Sequence, residues 1–124
     1  MNRLGIGLIG GGFVGKFHIR SFVSVRDADV LGVVSRSRNT AEEAAALARQ
    51  LGVGEARAYD SVTDMVADPA IHALWICSPN FTRLEVMEEI VQALESGKGE
   101  LVGVACEKPL GRNAAEARKM LKLV

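Results

Sequence analysis

The chain has 124 residues, 48% of them hydrophobic, which suffices for one compact domain with a buried core but is short for two. Lysine plus arginine and aspartate plus glutamate number 15 each, so the charge pattern of a nucleic-acid-binding or membrane-surface protein is missing. No apolar run reaches the ~18 residues of a membrane span, so we expect a cytoplasmic protein with neither nucleic acid nor membrane as its partner.

The first half of the chain predicts two strand–helix pairs. An apolar run over residues 4–9 predicts a strand, and apolar residues at helical spacing predict a helix over residues 13–25. A second apolar run covers residues 30–34. Behind it, Thr40 and Glu43 fit a capping box that opens an alanine-rich helix, which we expect to end near Gly52.

The second half continues the alternation of strands and helices and ends in a helix capped by Asn113. Before that helix, the apolar patterns predict a weak strand over residues 56–59, a short helix over 61–67, a strand over 71–77, a helix that reaches Gly97, and a strand over 101–106. Continuous apolar strands that alternate with amphipathic helices indicate a parallel sheet covered on both faces. We therefore predict an α/β fold, a doubly wound parallel sheet (Rossmann fold) with ligands at the carboxyl ends of its strands.

A glycine-rich turn separates the first predicted strand from the first helix. Gly10, Gly12 and Gly15, with Phe13 and Val14 between the last two, match the G-x-G-x-x-G pattern in the required strand–turn–helix context. Such glycines permit a tight turn, close backbone approach to a pyrophosphate, and close packing of helix on strand. The pattern favours dinucleotide binding, and a glycine-rich turn without a ligand is the alternative.

The end of the second predicted strand distinguishes between the two nicotinamide cofactors. Proteins that bind NAD usually place a carboxylate there, whereas this chain has Ser35, Arg36 and Arg38. A hydroxyl and two guanidinium groups can accept a 2′-phosphate, so the sequence favours NADP, with NAD as the alternative. The alternative is that both arginines are solvent-exposed loop residues with no role in cofactor binding.

Two further loops follow the fourth and fifth predicted strands, and with the glycine motif they resemble the Gfo/Idh/MocA family of oxidoreductases. The loops are Ser78-Pro79-Asn80 and Glu107-Lys108-Pro109. The resemblance implies that the first loop lines the nicotinamide-ribose side of the cleft. It also implies that Lys108 is catalytic, beside the nicotinamide and the reacting oxygen of the substrate, on a constrained Lys108–Pro109 peptide that can be cis.

Several positions keep alternative interpretations. Lys108 could be an ordinary surface lysine, and helix capping alone would explain Asn80. Arg83 stands where the family often has a histidine, which leaves the contacts of that turn open. His18 resembles a histidine common in the family, and it either faces the cleft or is simply packed in the interior.

The remaining titratable residues predict no metal site. Cys77 and Cys106 lack a CxxC or Cys/His cluster, so we expect two reduced, buried thiols. His72 precedes the fourth predicted strand, at the edge remote from the cleft, and we expect it to be structural.

Family members continue into a second domain that binds the substrate, and this sequence ends before a sixth strand. We therefore interpret residues 1–124 as an incomplete dinucleotide-binding domain, inactive alone, from an oxidoreductase that acts on a sugar, cyclitol or related small molecule. A nonenzymatic redox sensor that binds NAD(P) is the alternative. The uncharged edge strand over residues 101–106 further predicts pairing with a second copy in a homo-oligomer.

Overall fold

A computed structural model describes residues 3–124 of the chain. Five parallel strands form one sheet in the order β3-β2-β1-β4-β5, which is the doubly wound order that the sequence predicts. The strands are β1 (Leu4–Ile9), β2 (Ala28–Val34), β3 (Arg57–Ala58), β4 (Ala73–Ile76) and β5 (Gly103–Cys106).

Five α-helices connect and follow these strands. They are α1 (Phe13–Ser21), α2 (Arg38–Leu51), α3 (Val62–Ala67), α4 (Arg83–Glu95) and α5 (Ala114–Leu123), with one-turn 3-10 helices at Phe22–Ser24 and Asn80–Thr82. None of the helices within residues 3–124 is both long and apolar enough to cross a membrane.

The helices cover both faces of the sheet, as crossover connections between parallel strands require. On one face, Ile19 of α1 and the alanines of α2 pack against Leu8 and Val33. On the other face, residues of α3, α4 and α5 pack around Leu74 and Ile76. The four alanines at positions 41, 44, 45 and 48 are fully buried, so their small side chains let α2 lie close to the sheet.

Several predicted boundaries need correction. The cap of α2 is Ser37, whose hydroxyl oxygen accepts a hydrogen bond from the Thr40 amide at 3.4 Å, so the capping box placed at Thr40 is wrong. Helix α1 ends at Ser21 instead of Val25, because its last turn tightens into the 3-10 helix. Strands β4 and β5 each begin two residues later than their apolar runs, because apolar residues also line the loops that enter a sheet.

Strand β5 lies at one edge of the sheet, with no strand of residues 3–124 on its outer side. Its side chains are alternately exposed and half-buried, and the neighbouring Val102 is 68% exposed. The edge that the sequence predicts is therefore present, and pairing of two copies across it stays a prediction.

Candidate functional site

A cleft of about 770 Å³ lies at the carboxyl ends of β1, β2 and β4. The N-terminal parts of α1, α2, α3 and α4 complete its walls. The residues predicted for cofactor binding that line it are Gly10, Gly12, Phe13, Val14, Ser35, Arg36, Ser78 and Pro79. The residues predicted for the site that lie outside this lining are Gly15, Arg38, Asn80, Glu107, Lys108 and Pro109.

The glycine turn has three different requirements at its three glycines. Gly10 has a φ of 103°, and a Cβ there would lie 2.6 Å from the backbone nitrogen of Ser78. A Cβ on Gly15 would lie 2.1 Å from the carbonyl oxygen of Gly10, so α1 packs against the turn at backbone distance. By contrast, a Cβ on Gly12 would meet nothing within 4 Å. The space above Gly12 is therefore open for a ligand.

The N-terminus of α1 faces this open space. Gly12 is its N-cap residue and provides no side-chain cap, and the first turn carries no acidic residue. Its first amides thus lack an intrahelical acceptor, and the helix dipole adds partial positive charge beside them. This arrangement fits the pyrophosphate of a dinucleotide, because an anion can satisfy the amides while the backbone approaches closely.

The end of β2 brings only one of the two predicted arginines to the cleft. Ser35 accepts a hydrogen bond from the Gly11 amide at 3.3 Å, which ties the β2 loop to the glycine turn. Arg36 is exposed, its guanidinium carbon lies 5.9 Å from the ring centroid of Phe81, and no ion pair among residues 3–124 includes it. Its charge is therefore available to a ligand.

Arg38 lies outside the lining of the cleft and is engaged by two carboxylates, of which Asp60 lines the cleft. Its guanidinium donates to Glu42 at 3.0 Å and to Asp60, and these bonds raise its pKa. The sequence pattern could not reveal Asp60, which reaches Arg38 from the segment after β3.

The loop after β4 is fastened by Thr82. The Thr82 hydroxyl lies 2.7 Å from the Pro79 carbonyl oxygen, to which it can donate, and 2.8 Å from the Ser78 hydroxyl. Asn80 begins the 3-10 turn, and the N-cap of α4 is Thr82, which makes no side-chain cap hydrogen bond. Capping of α4 therefore does not account for Asn80, and that alternative is wrong.

Arg83 joins this loop to the one after β5. Arg83 is only 6% exposed. The guanidinium donates from Nε to the Ser78 carbonyl at 3.0 Å, and from Nη1 to the carbonyls of Glu107, at 2.9 Å, and Pro109. Sequence reasoning noted this arginine only as a departure from the family pattern, because its partners are backbone carbonyls, which leave no sequence signal.

Glu107 is held from α1 by His18. His18 Nε2 lies 2.6 Å from Glu107 Oε1, and the His18 ring packs on Trp75 with centroids 4.3 Å apart. The hydrogen bond with His18, and then that from the Lys108 amide to Glu107 Oε2 at 3.2 Å, lower the pKa of Glu107 against the opposing effect of desolvation. His18 is not among the lining residues of the cleft, and it does more than fill space, since it orients the carboxylate of the second loop.

Lys108 itself is exposed, and the Lys108–Pro109 peptide is cis, as the resemblance suggested. Within residues 3–124, no side-chain hydrogen bond or ion pair involves its ammonium group. Arg83 thus holds the backbone of the loop that carries Lys108, whereas no hydrogen bond or ion pair within residues 3–124 holds the lysine side chain.

The thiols of Cys77 and Cys106 and the imidazole of His72 have the surroundings of groups that support the fold. Burial, and then the nearby charge of Glu107, raise the pKa of the Cys77 thiol to about 12, and burial also raises the pKa of half-buried Cys106. Both thiols are free and neutral at physiological pH. His72 Nδ1 accepts a hydrogen bond from the Gly5 amide at 2.7 Å, which confirms its structural role. In the described part of the chain, no group of His, Cys, Asp and Glu residues could hold a metal ion.

Comparison with known proteins matches residues 4–124 to an oxidoreductase family with an NAD-binding Rossmann fold, Gfo/Idh/MocA. A levoglucosan dehydrogenase from Pseudarthrobacter phenanthrenivorans is 35% identical over all of this chain and 31% of its own length. An inositol 2-dehydrogenase from Rhizobium meliloti is 33% identical over 95% of this chain and 32% of its own length. The chain thus spans about a third of the length of these relatives.

A solved levoglucosan dehydrogenase in complex with NADH and L-sorbose has the same fold. It superimposes with a TM-score of 0.77 at 30% identity, over all of this chain and 32% of that one. This domain is therefore related to the NAD-binding part of sugar and cyclitol dehydrogenases.

The geometry of the glycine turn predicts that two glycine-to-alanine substitutions affect different properties, one mainly the stability of the fold and the other mainly nucleotide binding. Gly15→Ala should lower the free energy of unfolding by about 1–3 kcal/mol, because its Cβ collides with the Gly10 carbonyl. Gly12→Ala should lower that free energy by no more than about 1 kcal/mol, because alanine is a poorer N-cap residue than glycine, and should weaken nucleotide binding about tenfold or more. Urea denaturation and calorimetric titration with nicotinamide dinucleotides measure the two effects, and equal losses of stability would contradict the assignment.

The depressed pKa of Glu107 predicts a pH-dependent contribution to stability. The carboxylate stabilises the fold fully above its unfolded pKa of about 4.5, and this contribution is lost as pH falls through the lower folded pKa. We expect Glu107→Gln to lower the free energy of unfolding at neutral pH, with a gap from the wild type that narrows below about pH 4.5. Denaturation curves over this pH range test it, with exposed Glu55→Gln as the control; a gap independent of pH would refute it.

Proposed function

The chain belongs to the Gfo/Idh/MocA oxidoreductase family, and on this basis we propose that it binds NADP(H) for an enzyme that oxidises or reduces a small hydroxy compound. The open space above Gly12, beside the uncapped N-terminus of α1, is the observation that carries the proposal. The pyrophosphate would lie there, with the adenosine end toward β2 and the nicotinamide end toward the loops after β4 and β5.

The bound nicotinamide supplies the hydride acceptor or donor, and residues of this chain orient the reacting groups. Lys108 is the candidate for the reacting oxygen of the substrate, because an ammonium group can hydrogen-bond a hydroxyl or carbonyl and stabilise negative charge that develops on it. Ser78, Pro79 and Asn80 would contact the ribose beside the nicotinamide. Glu107 and Pro109 would fix the loop that carries the lysine.

The preference for NADP rests on Arg36 and Ser35. The Arg36 guanidinium has no carboxylate partner among residues 3–124 and lines the cleft at the end of β2, where a 2′-phosphate would lie. Arg38 could contribute only by exchanging its carboxylate partners for the phosphate. A levoglucosan dehydrogenase of this family is seen with NADH, so the preference proposed for this chain depends on its own residues at the end of β2.

Sugar and cyclitol dehydrogenases among the relatives favour a sugar, a cyclitol or a related hydroxy compound as the substrate. A nonenzymatic redox sensor is the competing function, and Lys108 separates the two, since a sensor needs the glycine turn but no residue that handles the reacting oxygen. A cytoplasmic location and a homo-oligomer stay predictions.

Arg36→Asp should reverse the cofactor preference. The substitution removes the charge that would bind the 2′-phosphate and supplies a carboxylate for the ribose hydroxyls, so the ratio of NADPH to NADH affinity should fall by about tenfold or more. Calorimetric titration with both cofactors measures this ratio. Arg20→Asp makes the same charge change at an exposed position outside the cleft and should leave the ratio unchanged. Equal affinity for both cofactors in the wild type, unaltered by Arg36→Asp, would remove the proposed preference.

Lys108→Ala in the full-length protein should lower kcat by about 10²-fold or more while the dissociation constant for NADPH changes little. The reason is that the ammonium group acts mainly where charge develops in the transition state. Steady-state kinetics with a panel of sugars and cyclitols, together with cofactor titration, separate the two effects, and exposed Lys98→Ala is the matched control. Residues 1–124 alone should show no turnover. Normal turnover in Lys108→Ala would leave Lys108 as a surface lysine.

A further inference from the structure

We propose that Arg83 is a positioning residue, whose buried guanidinium holds the loop after β4 and the loop that carries Lys108 at a fixed separation. This inference rests on the proposed function, since it assigns Arg83 a task in placing Lys108. It concerns the position at which this chain departs from the histidine often found in the family.

The environment of Arg83 is unusual for a cation. The residue is 6% exposed, yet none of the ion pairs within residues 3–124 includes it, and its donors go to three carbonyl oxygens. A buried charge is costly unless hydrogen bonds compensate it. The three carbonyls therefore have to remain around the guanidinium, which makes it a rigid connection between the segments that supply them.

The acceptors belong to the two loops that frame the nicotinamide end of the proposed site. Nε bonds the carbonyl of Ser78, at the carboxyl end of β4, and Nη1 bonds the carbonyls of Glu107 and Pro109. The last two residues lie on either side of Lys108. Arg83 thus holds the backbone before and after the lysine. The same planar guanidinium also bonds Ser78 in the cleft wall, so it fixes the distance between that wall and the lysine loop.

The remaining contacts of the lysine loop make this connection important. His18 holds the side chain of Glu107, but the Lys108 side chain is exposed and has no hydrogen bond or ion pair within residues 3–124. The backbone at positions 107–109 therefore determines where the ammonium group can reach. A displacement of ~1 Å at a reacting group can reduce turnover as much as 10²-fold.

A lysine at position 83 keeps the charge but loses the planar fork, so it cannot reproduce donors with fixed directions toward both loops. We therefore expect Arg83→Lys to lower kcat of the full-length protein about tenfold or more. A merely structural arginine could also lower activity, so the decisive measurement is a double-mutant cycle with Lys108→Ala. If Arg83 acts through Lys108, adding Arg83→Lys to Lys108→Ala should reduce the residual kcat by less than about twofold.

Hydrogen–deuterium exchange of the full-length protein without substrate provides a readout independent of activity. Arg83→Lys should speed exchange of the amides of Glu107 and Lys108, which donate to the Ile76 carbonyl and to Glu107 Oε2, at least about tenfold, with little change in α2 and β2. Exposed Arg118→Lys is the control and should change neither exchange nor kcat. If Arg83→Lys does not fold, Arg83→Gln replaces it, and failure of both to fold would overturn the proposal by making Arg83 a folding residue.

The outcomes separate this inference from the proposed function. An equal-fold loss of kcat from Arg83→Lys with and without Lys108 would overturn the positioning role, as would unchanged exchange of the Glu107 and Lys108 amides. If Lys108→Ala has wild-type turnover, the proposed role of Lys108 fails, and the positioning inference falls with it whatever the exchange shows. Normal sensitivity to Lys108→Ala with no effect of Arg83→Lys would leave the proposed function intact and refute only the inference about Arg83.

Discussion

The close approach of α1 to the carboxyl end of β1 determines where the other parts of the cleft can lie. A side chain on Gly15 would strike the carbonyl of Gly10, and one on Gly10 would strike the backbone of Ser78. Helix, turn and the loop after β4 are therefore packed at backbone distance, with no side chain between them. This packing brings α1 within reach of β4 and of the loop after β5, although β4 begins 60 residues after the start of α1.

His18 shows how this close packing is used. Because α1 lies against the sheet, a residue in its second turn packs on Trp75 of β4 and bonds Glu107 beyond the end of β5. The loop after β5 is thus held by α1 through a side chain and by α4 through the carbonyls that Arg83 binds. Two helices on opposite faces of the sheet therefore hold the loop after β5. Because β5 is an edge strand, the sheet alone would support this loop only from the side of β4.

Local patterns predicted the parts of this structure that local physics determines. Apolar runs placed all five strands, and the glycine spacing placed the turn, because each depends on neighbouring residues only. The cap of α2 was missed because Ser37 and Thr40 are both good capping residues, and the spacing from Thr40 to Glu43 favours the wrong one. Arg38 was assigned to the cofactor because its charge is visible in the sequence while its partner Asp60 is not.

The contacts missed around Arg83 have a more general physical cause. Side chains that recognise other side chains leave two identifiable residue types in the sequence, but a guanidinium that binds carbonyls leaves one, since every residue has a carbonyl. The family pattern drew attention to position 83 because an arginine replaces a histidine there. A neutral imidazole has one ring N–H to donate, whereas a guanidinium has five N–H groups in a fixed plane. The replacement therefore increases the number of backbone points that one side chain can hold, and in this chain those points include both neighbours of Lys108.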